Sequence, residues 1–152
     1  YYKEQAIRPE ALRAAIADLA AGFVQPAGTH GARVREAYQV GGALGNALGG
    51  YAPLFDEWLP FLEQNAGSPH ALHRLLLLIV SRLDDTNLLH RGGAARAARA
   101  RAEAAEVLAH FSPEALRALD ARFTAERLSP GGAADMLSLT FLIRGLVSSP
   151  KS

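Results

Sequence analysis

Apolar residues recur along the chain with the spacing of helices, and short polar breaks separate the runs. After Pro9, a proline suited to the first turn of a helix, apolar side chains follow at steps of four, three and four residues, at Leu12, Ile16, Leu19 and Phe23. No segment shows the alternation of apolar and polar residues that is typical of a half-buried strand. The pattern therefore predicts an all-α protein.

The most apolar segment follows Ser68 and Pro69, a cap residue and a proline that predict a helix start. Leucine, isoleucine and valine then occupy almost every position from 75 to 80. A helix that is apolar nearly all round is buried, so we predict that it is the central helix of a single compact bundle of about seven helices. The bundle is expected to span residues 1–147, and the tail 148–152 is expected to be frayed.

The segment 41–50 departs from this pattern because it contains five glycines in ten residues. Each glycine inside a helix costs about 1 kcal/mol relative to alanine. We therefore expect a compact, turn-rich segment here, or glycines that allow two helices to approach closely.

Composition narrows the class of protein. The 152 residues carry 16 Lys and Arg against 15 Asp and Glu, a net charge of +1, which gives no reason to expect nucleic-acid binding. The absence of cysteine excludes disulfides and thiolate zinc sites and is compatible with the cytoplasm. The longest apolar run, 75–80, is too short to span a bilayer. We expect a cytoplasmic protein with neither a nucleic-acid nor a membrane partner.

Two polar segments, 84–93 and 128–135, each place a Gly-Gly pair beside charged side chains at a predicted helix start. Free N–H groups at a helix start suit phosphate oxygens. In the first segment the carboxylates of Asp84 and Asp85 and the amide oxygen of Asn87 are ligands of the kind that Mg²⁺ accepts, and Arg91 can hold a phosphate. In the second, Asp135 lies in the first turn of the next helix, where it is expected to face the same end of the bundle.

Each of these features also has a purely structural explanation. The Gly-Gly pairs can end one helix and start another, and the carboxylates can cap helices. Arg96, Arg99 and Arg101 either line a polyphosphate channel or form a solvated helix face. His70 and His73 have a spacing that can bind a metal, but no carboxylate lies one turn away, which favours a surface or core-edge role.

Together these segments resemble the C-terminal half of the triphosphoribosyl-dephospho-CoA synthases, which make the prosthetic-group precursor for citrate lyase and malonate decarboxylase. The family pattern Asp-Thr-Asn-Leu-x-x-Arg-Gly-Gly is similar to residues 85–93, and Leu-Ser-Pro-Gly-Gly-Ser-Ala-Asp is similar to residues 128–135 apart from Ala133. A third stretch, from Thr29 to Tyr38 and on into the glycines that follow, also resembles the family. The resemblance covers about residues 10 to 146 in the same order.

The resemblance implies an all-α, nucleotide-dependent transferase that joins ATP to 3′-dephospho-CoA and releases adenine, with Mg²⁺ bound to the ATP. It implies catalytic roles for Asp85 and Asp135 and a metal site at Asp85, Asn87 and Asp135. It also implies that substrate and phosphate are bound by a larger set: Asn87, Arg91, Gly92, Gly93, Ser129, Gly131 and Gly132.

One stretch departs from the family pattern. Where the family carries Arg-Gly-Ala-Arg-Gly-Glu-Ala, this chain has uncharged Gly41, Leu44 and Asn46 at the three charged positions. The N-terminal half of the family pattern is also absent from this sequence, so two explanations stay open: a partner chain supplies that half, or the sequence is a fragment of a longer protein. Two alternatives stay open: a diverged relative or subunit that binds a nucleotide or CoA-like ligand without transfer, and a helical protein-interaction module.

Overall fold

The computed structural model describes residues 7–23, 33, 36–38 and 42–147. Within these ranges the chain is helical and forms no strand, which confirms the predicted all-α class. The tail 148–152 and most of the stretch 29–38 lie outside the described residues. No helix in the described part combines the length and apolar character needed to cross a bilayer.

Seven α-helices are labelled here in chain order, and a π-helical segment, Leu54–Trp58, runs directly into the third. Their bounds are α1 Pro9–Ala21, α2 Gly42–Leu48, α3 Leu59–Gln64, α4 Ala71–Arg82, α5 Thr86–Ala109, α6 Pro113–Ala125 and α7 Gly131–Val147.

Helix α4 forms the centre of the core, as its sequence predicted. Leu75 and Ile79 are fully buried, and α4 packs against both α5 and α7. The helix begins at Ala71 and not at the predicted Pro69, because His70 has a left-handed backbone with φ of 67°. The turn before it is closed by a hydrogen bond from the Ala71 N–H to the Ser68 carbonyl. Because α4 lies at the centre of the core, its C-terminal end at Arg82 determines where the polar segment that follows begins.

The glycine-rich segment is more helical than expected, because residues 42–48 form α2. The expectation of a turn-rich segment was wrong for these residues. Helix α2 packs against α1, but a β-carbon at Gly45 would meet no neighbouring element within 4 Å, so Gly45 is not what allows this contact. Tertiary packing of this kind commonly outweighs helix propensity. The chain turns after α2 at Gly50, where φ is 62°. Gly50 also lies close to α1, because a β-carbon at this position would come within 2.8 Å of the Arg13 side chain.

The apolar stripe of α1 is buried only in part. Leu12 and Ile16 pack against the core, whereas Leu19 and Phe23 are 77% and 59% exposed. The period of the stripe therefore predicted the helix correctly but did not predict which of its turns contact the described core.

Helix α5 is broken at Gly93, where φ is 71° and ψ is 175°. This backbone region is accessible almost only to glycine. The break confirms that the Gly92-Gly93 pair ends one helical segment and starts another at Ala94, as the sequence indicated.

Replacing Gly93 with alanine is expected to lower the free energy of unfolding by about 1–3 kcal/mol, because a β-carbon is strained at this backbone conformation. Gly145→Ala is the matched control, since Gly145 lies within α7 and no atom lies within 4 Å of the position its β-carbon would take. That control is expected to raise the free energy of unfolding by up to about 1 kcal/mol. Urea denaturation measures both, and equal effects of the two substitutions would contradict the assignment of strain to Gly93.

Candidate functional site

One carboxylate connects the two polar segments. Asp85 is only 3% exposed and is the N-cap of α5, where its Oδ1 accepts hydrogen bonds from the N–H groups of Asn87 at 2.8 Å and Leu88 at 3.3 Å. Its Oδ2 accepts a hydrogen bond of 2.9 Å from the N–H of Ala133, which lies 48 residues later in the first turn of α7. Asp85 therefore holds the N-termini of two helices against each other.

Glycines allow this close approach. A β-carbon at Gly132 would lie 3.1 Å from the carboxyl carbon of Asp85, and one at Gly131 would lie 2.7 Å from Nδ2 of Asn87. A β-carbon at Gly92 would lie 2.7 Å from Cδ2 of Leu128. The two segments are thus in contact at three points, and a larger residue at any of them would have to displace the side chain that faces it.

A small cleft of about 100 Å³ lies where the two helix starts meet. Four of the predicted site residues line it, namely Asp85, Asn87, Gly132 and Asp135. The other lining residues are Asn46, Leu83, Asp84, Thr86 and Met136. The prediction that the two segments face the same end of the bundle is therefore confirmed, because Asn87 and Asp135 share one cleft.

The remaining predicted residues lie around the cleft and do not line it. Arg91 is exposed, Gly92 packs against Leu128, and Gly93 forms the break in α5. Ser129 lines a separate cavity between residues of α4 and α6. The phosphate-binding roles of these residues stay predictions, whereas the structural roles of both Gly92 and Gly93 are visible in the fold.

Burial raises the pKa of the Asp85 carboxyl above its usual range. Hydrogen bonds from backbone N–H groups, the one from Ala133 foremost, lower the pKa but do not outweigh the loss of solvation. A carboxyl with a raised pKa beside a cleft is typical of functional sites, although buried structural networks produce the same effect.

The cleft provides oxygen ligands but no preformed cage for a metal. Among the described residues, no group of three or more His, Asp or Glu side chains is arranged to hold an ion. Asp84 and Asp85 at the cleft already have partners, in Arg101 and in backbone N–H groups, whereas Asn87 and the exposed Asp135 also offer oxygens there. This donor set fits Mg²⁺ bound to a nucleotide, which takes only one or two carboxylates from the protein and completes its coordination with phosphates and water.

Two further polar residues at the cleft, Asp84 and Asn46, were not among the site residues that the family resemblance implied. Asp84 lines it and forms an ion pair with Arg101. Asn46 also lines the cleft, although the sequence indicated only that it replaces a charged residue of the family pattern. Its position depends on how α2 packs, which no local pattern revealed.

Comparison with known proteins adds independent evidence. Residues 4–151 match the sequence model of the CitG family, described as ATP:dephospho-CoA triphosphoribosyl transferase. The chain belongs to this family. No solved structure matches the chain.

Curated relatives of the family are similar over most of the chain. A probable 2-(5′′-triphosphoribosyl)-3′-dephosphocoenzyme-A synthase of Vibrio cholerae is 36% identical over 129 residues, which cover 78% of this chain and 41% of the relative. A probable synthase of the same name from Pseudomonas paraeruginosa is 42% identical over 120 residues, or 72% of this chain and 41% of the relative. The Klebsiella pneumoniae synthase is 36% identical over 116 residues, or 70% of this chain and 38% of the relative. The chain thus spans about two fifths of the length of the curated relatives that it matches.

Asp85→Asn is expected to lower the free energy of unfolding by about 1–3 kcal/mol, because an amide cannot accept from all of the backbone N–H groups and leaves a buried donor without an acceptor. Asp135→Asn is the control, since Asp135 is exposed in the same cleft, and its effect is expected to stay within about 0.5 kcal/mol. Chemical denaturation at neutral pH measures both. Similar stabilities of the two variants would show that Asp85 does not hold the helices together.

The raised pKa of Asp85 is also expected to make part of the stability depend on pH. Between the unfolded pKa of about 3.9 and the higher folded pKa, the folded protein binds more protons than the unfolded protein. The contribution of this proton binding to the free energy of unfolding is complete below the unfolded pKa of Asp85, and it is lost as the pH rises through the folded pKa. The difference in unfolding free energy between the native protein and Asp85→Asn is therefore expected to shrink from about pH 4 to pH 7. A difference that grows over this range would mean that the pKa is lowered.

Proposed function

We propose that this chain supplies part of the active site of a transferase that attaches the triphosphoribosyl group of ATP to 3′-dephospho-CoA. Family membership and the names of the curated relatives support this activity. The observation that carries it is the single cleft in which Asn87 and Asp135, from the two motif segments, lie together.

The proposed reaction sets clear chemical demands on this cleft. The 2′-hydroxyl of the acceptor forms a bond to C1′ of the ATP ribose while the bond from C1′ to adenine breaks. The electron pair of that bond leaves with adenine, which takes up a proton, and the attacking hydroxyl loses one. Positive charge develops at C1′, so nearby carboxylates stabilise the transition state, and a carboxylate can also accept the hydroxyl proton.

We assign the proton-accepting role to Asp135. It is exposed at the cleft, so substrate can reach it, whereas both oxygens of Asp85 are engaged with backbone N–H groups. Asp85 then acts mainly as a positioning residue, because it fixes the starts of α5 and α7 that carry Asn87 and Asp135. This role differs from the direct catalytic and metal contacts that its residue type suggested.

Mg²⁺ would be held by oxygens of Asp135 and Asn87, and when bound it would neutralise charge on the triphosphate. Arg91 lies four residues after Asn87 on α5, hence on the same face of that helix, where its guanidinium can reach phosphates that extend beyond the cleft. The rest of the site is proposed to come from residues outside this sequence, in the same protein or in a partner chain. A cytoplasmic location, where ATP is available, accords with this reaction.

A second candidate function is nucleotide binding without transfer. Asn46 favours it, because this uncharged side chain lines the cleft at a position where the family pattern carries glutamate. If that glutamate moves a proton during transfer, asparagine cannot replace it.

The rate of adenine release from ATP, in the presence of Mg²⁺ and 3′-dephospho-CoA, tests the proposal in the complete natural protein with any partner chain added. Asp135→Ala is expected to lower this rate by about 100-fold or more, because the reaction loses its base. Asp18→Ala, an exposed aspartate on α1 that lines none of these clefts, is the control and should retain the native rate.

Binding measured by calorimetry then separates the two candidates. Native protein that binds Mg²⁺–ATP but releases no adenine would support binding without transfer. Native activity in Asp135→Ala would instead remove this cleft from the proposed reaction.

A further inference from the structure

A second cavity adjoins the cleft and differs from it in chemistry. It has a volume of about 270 Å³ and is called the side pocket here; its lining includes Tyr38, Leu83, Leu88, Ala94, Ala98 and Arg101. Asp84 and Asp85 line both the side pocket and the cleft. The two cavities therefore lie side by side and share this wall.

The break in α5 shapes this pocket. After Gly93 the helix restarts, and Ala94, Ala97 and Ala98 present only methyl groups along one wall. Leu83 and Leu88 supply further apolar surface. Small side chains along a helix leave a flat space beside it, which suits a planar ring better than a branched or flexible group.

The charged groups of the pocket are few and already have partners, since both oxygens of Asp85 accept hydrogen bonds from backbone N–H groups. Arg101 pairs with Asp84, so its positive charge is offset and does not favour a phosphate group. The pair still offers one hydrogen-bond donor and one acceptor to the edge of a ring. The phenol ring of Tyr38 adds an aromatic surface that is 38% exposed. A mainly apolar pocket with a few polar groups is typical of small-molecule sites.

We propose that the side pocket binds an adenine ring. Its apolar wall, aromatic ring and neutralised ion pair suit a flat, uncharged heteroaromatic group, and it opens beside the cleft assigned to the triphosphate. The inference rests on the proposed function, in which both ATP and 3′-dephospho-CoA carry an adenine ring. Either molecule can supply the ring, so the experiment must distinguish the two.

Filling the pocket tests the inference. Ala98→Leu places a branched side chain in the side pocket from an exposed position on α5, so the fold should tolerate it. Ala105→Leu is the matched control, because Ala105 is exposed two turns later on the same helix and lines neither the side pocket nor the cleft. Tyr38→Ala and Tyr38→Phe form a second pair that removes or retains the aromatic ring without adding bulk.

Calorimetric titration of each variant, made in the complete natural protein with any partner chain added, uses three probes: Mg²⁺–ATP, 3′-dephospho-CoA and Mg²⁺–tripolyphosphate, which has no adenine. Ala98→Leu and Tyr38→Ala are expected to weaken binding of at least one adenine-bearing probe by about tenfold, the effect of losing roughly 1.4 kcal/mol. Binding of tripolyphosphate should stay unchanged, and both control variants should behave like the native protein. If only the affinity for ATP falls, the pocket binds the adenine that leaves in the reaction. If only the affinity for 3′-dephospho-CoA falls, the pocket binds the adenine of the acceptor.

Equal weakening of ATP and tripolyphosphate would overturn the inference, because the substitution would then act on the phosphate cleft. Unchanged affinity for both adenine-bearing probes would overturn it as well. If the native protein binds none of the three probes, the proposed function itself fails, and the inference that rests on it falls too.

Discussion

The buried carboxylate of Asp85 is the interaction on which the rest of this structure depends. It accepts hydrogen bonds from backbone N–H groups at the starts of two helices that are far apart in sequence. Hydrogen bonds to a charged group contribute about 1.5–3 kcal/mol each, whereas burying a carboxylate costs several kcal/mol. The raised pKa shows that the hydrogen bonds offset this cost only in part. The core packing of α4 against α5 and α7 offsets the rest of the free-energy cost of burying Asp85.

This arrangement explains why so many small residues surround the site. Gly131 and Gly132 lie so close to Asn87 and Asp85 that a side chain at either glycine would have to displace the Asn87 amide or the Asp85 carboxylate. The glycines therefore set the distance between the motifs, and the motifs set the size of the cleft. Some residues of the family pattern are therefore explained by the packing of the two helices, and others by the proposed contact with substrate.

The sequence was most informative where a local pattern decides the structure. The apolar run in α4 predicted the buried helix, and the Gly92-Gly93 pair predicted a helix end and a new start, which the break at Gly93 shows. The conjunction of two glycine-bearing motifs predicted that they would meet. These features could be predicted because they depend on residues that are neighbours along the chain, or on two motifs that occur together.

Features that depend on long-range packing could not be predicted in this way. The hydrogen bond from Ala133 to Asp85 joins segments whose separation is set by the whole core. Asn46 reaches the cleft only because α2 packs beside α1, and residue propensity argued against a helix there. The break at Gly93 was expected, but the pocket that it opens beside Ala98 follows from the three-dimensional path of α5.

Hydrogen exchange at the amide of Ala133 tests the role of Asp85 most directly. N–H groups in the first turn of a helix have no acceptor within that helix, so this amide depends on the carboxylate for its protection. If Asp85 bridges the two helices, the Ala133 amide exchanges as slowly as the amides of Asn87 and Leu88. Exchange at the rate of an unprotected peptide, while the amides of α4 stay protected, would show that the bridge does not exist.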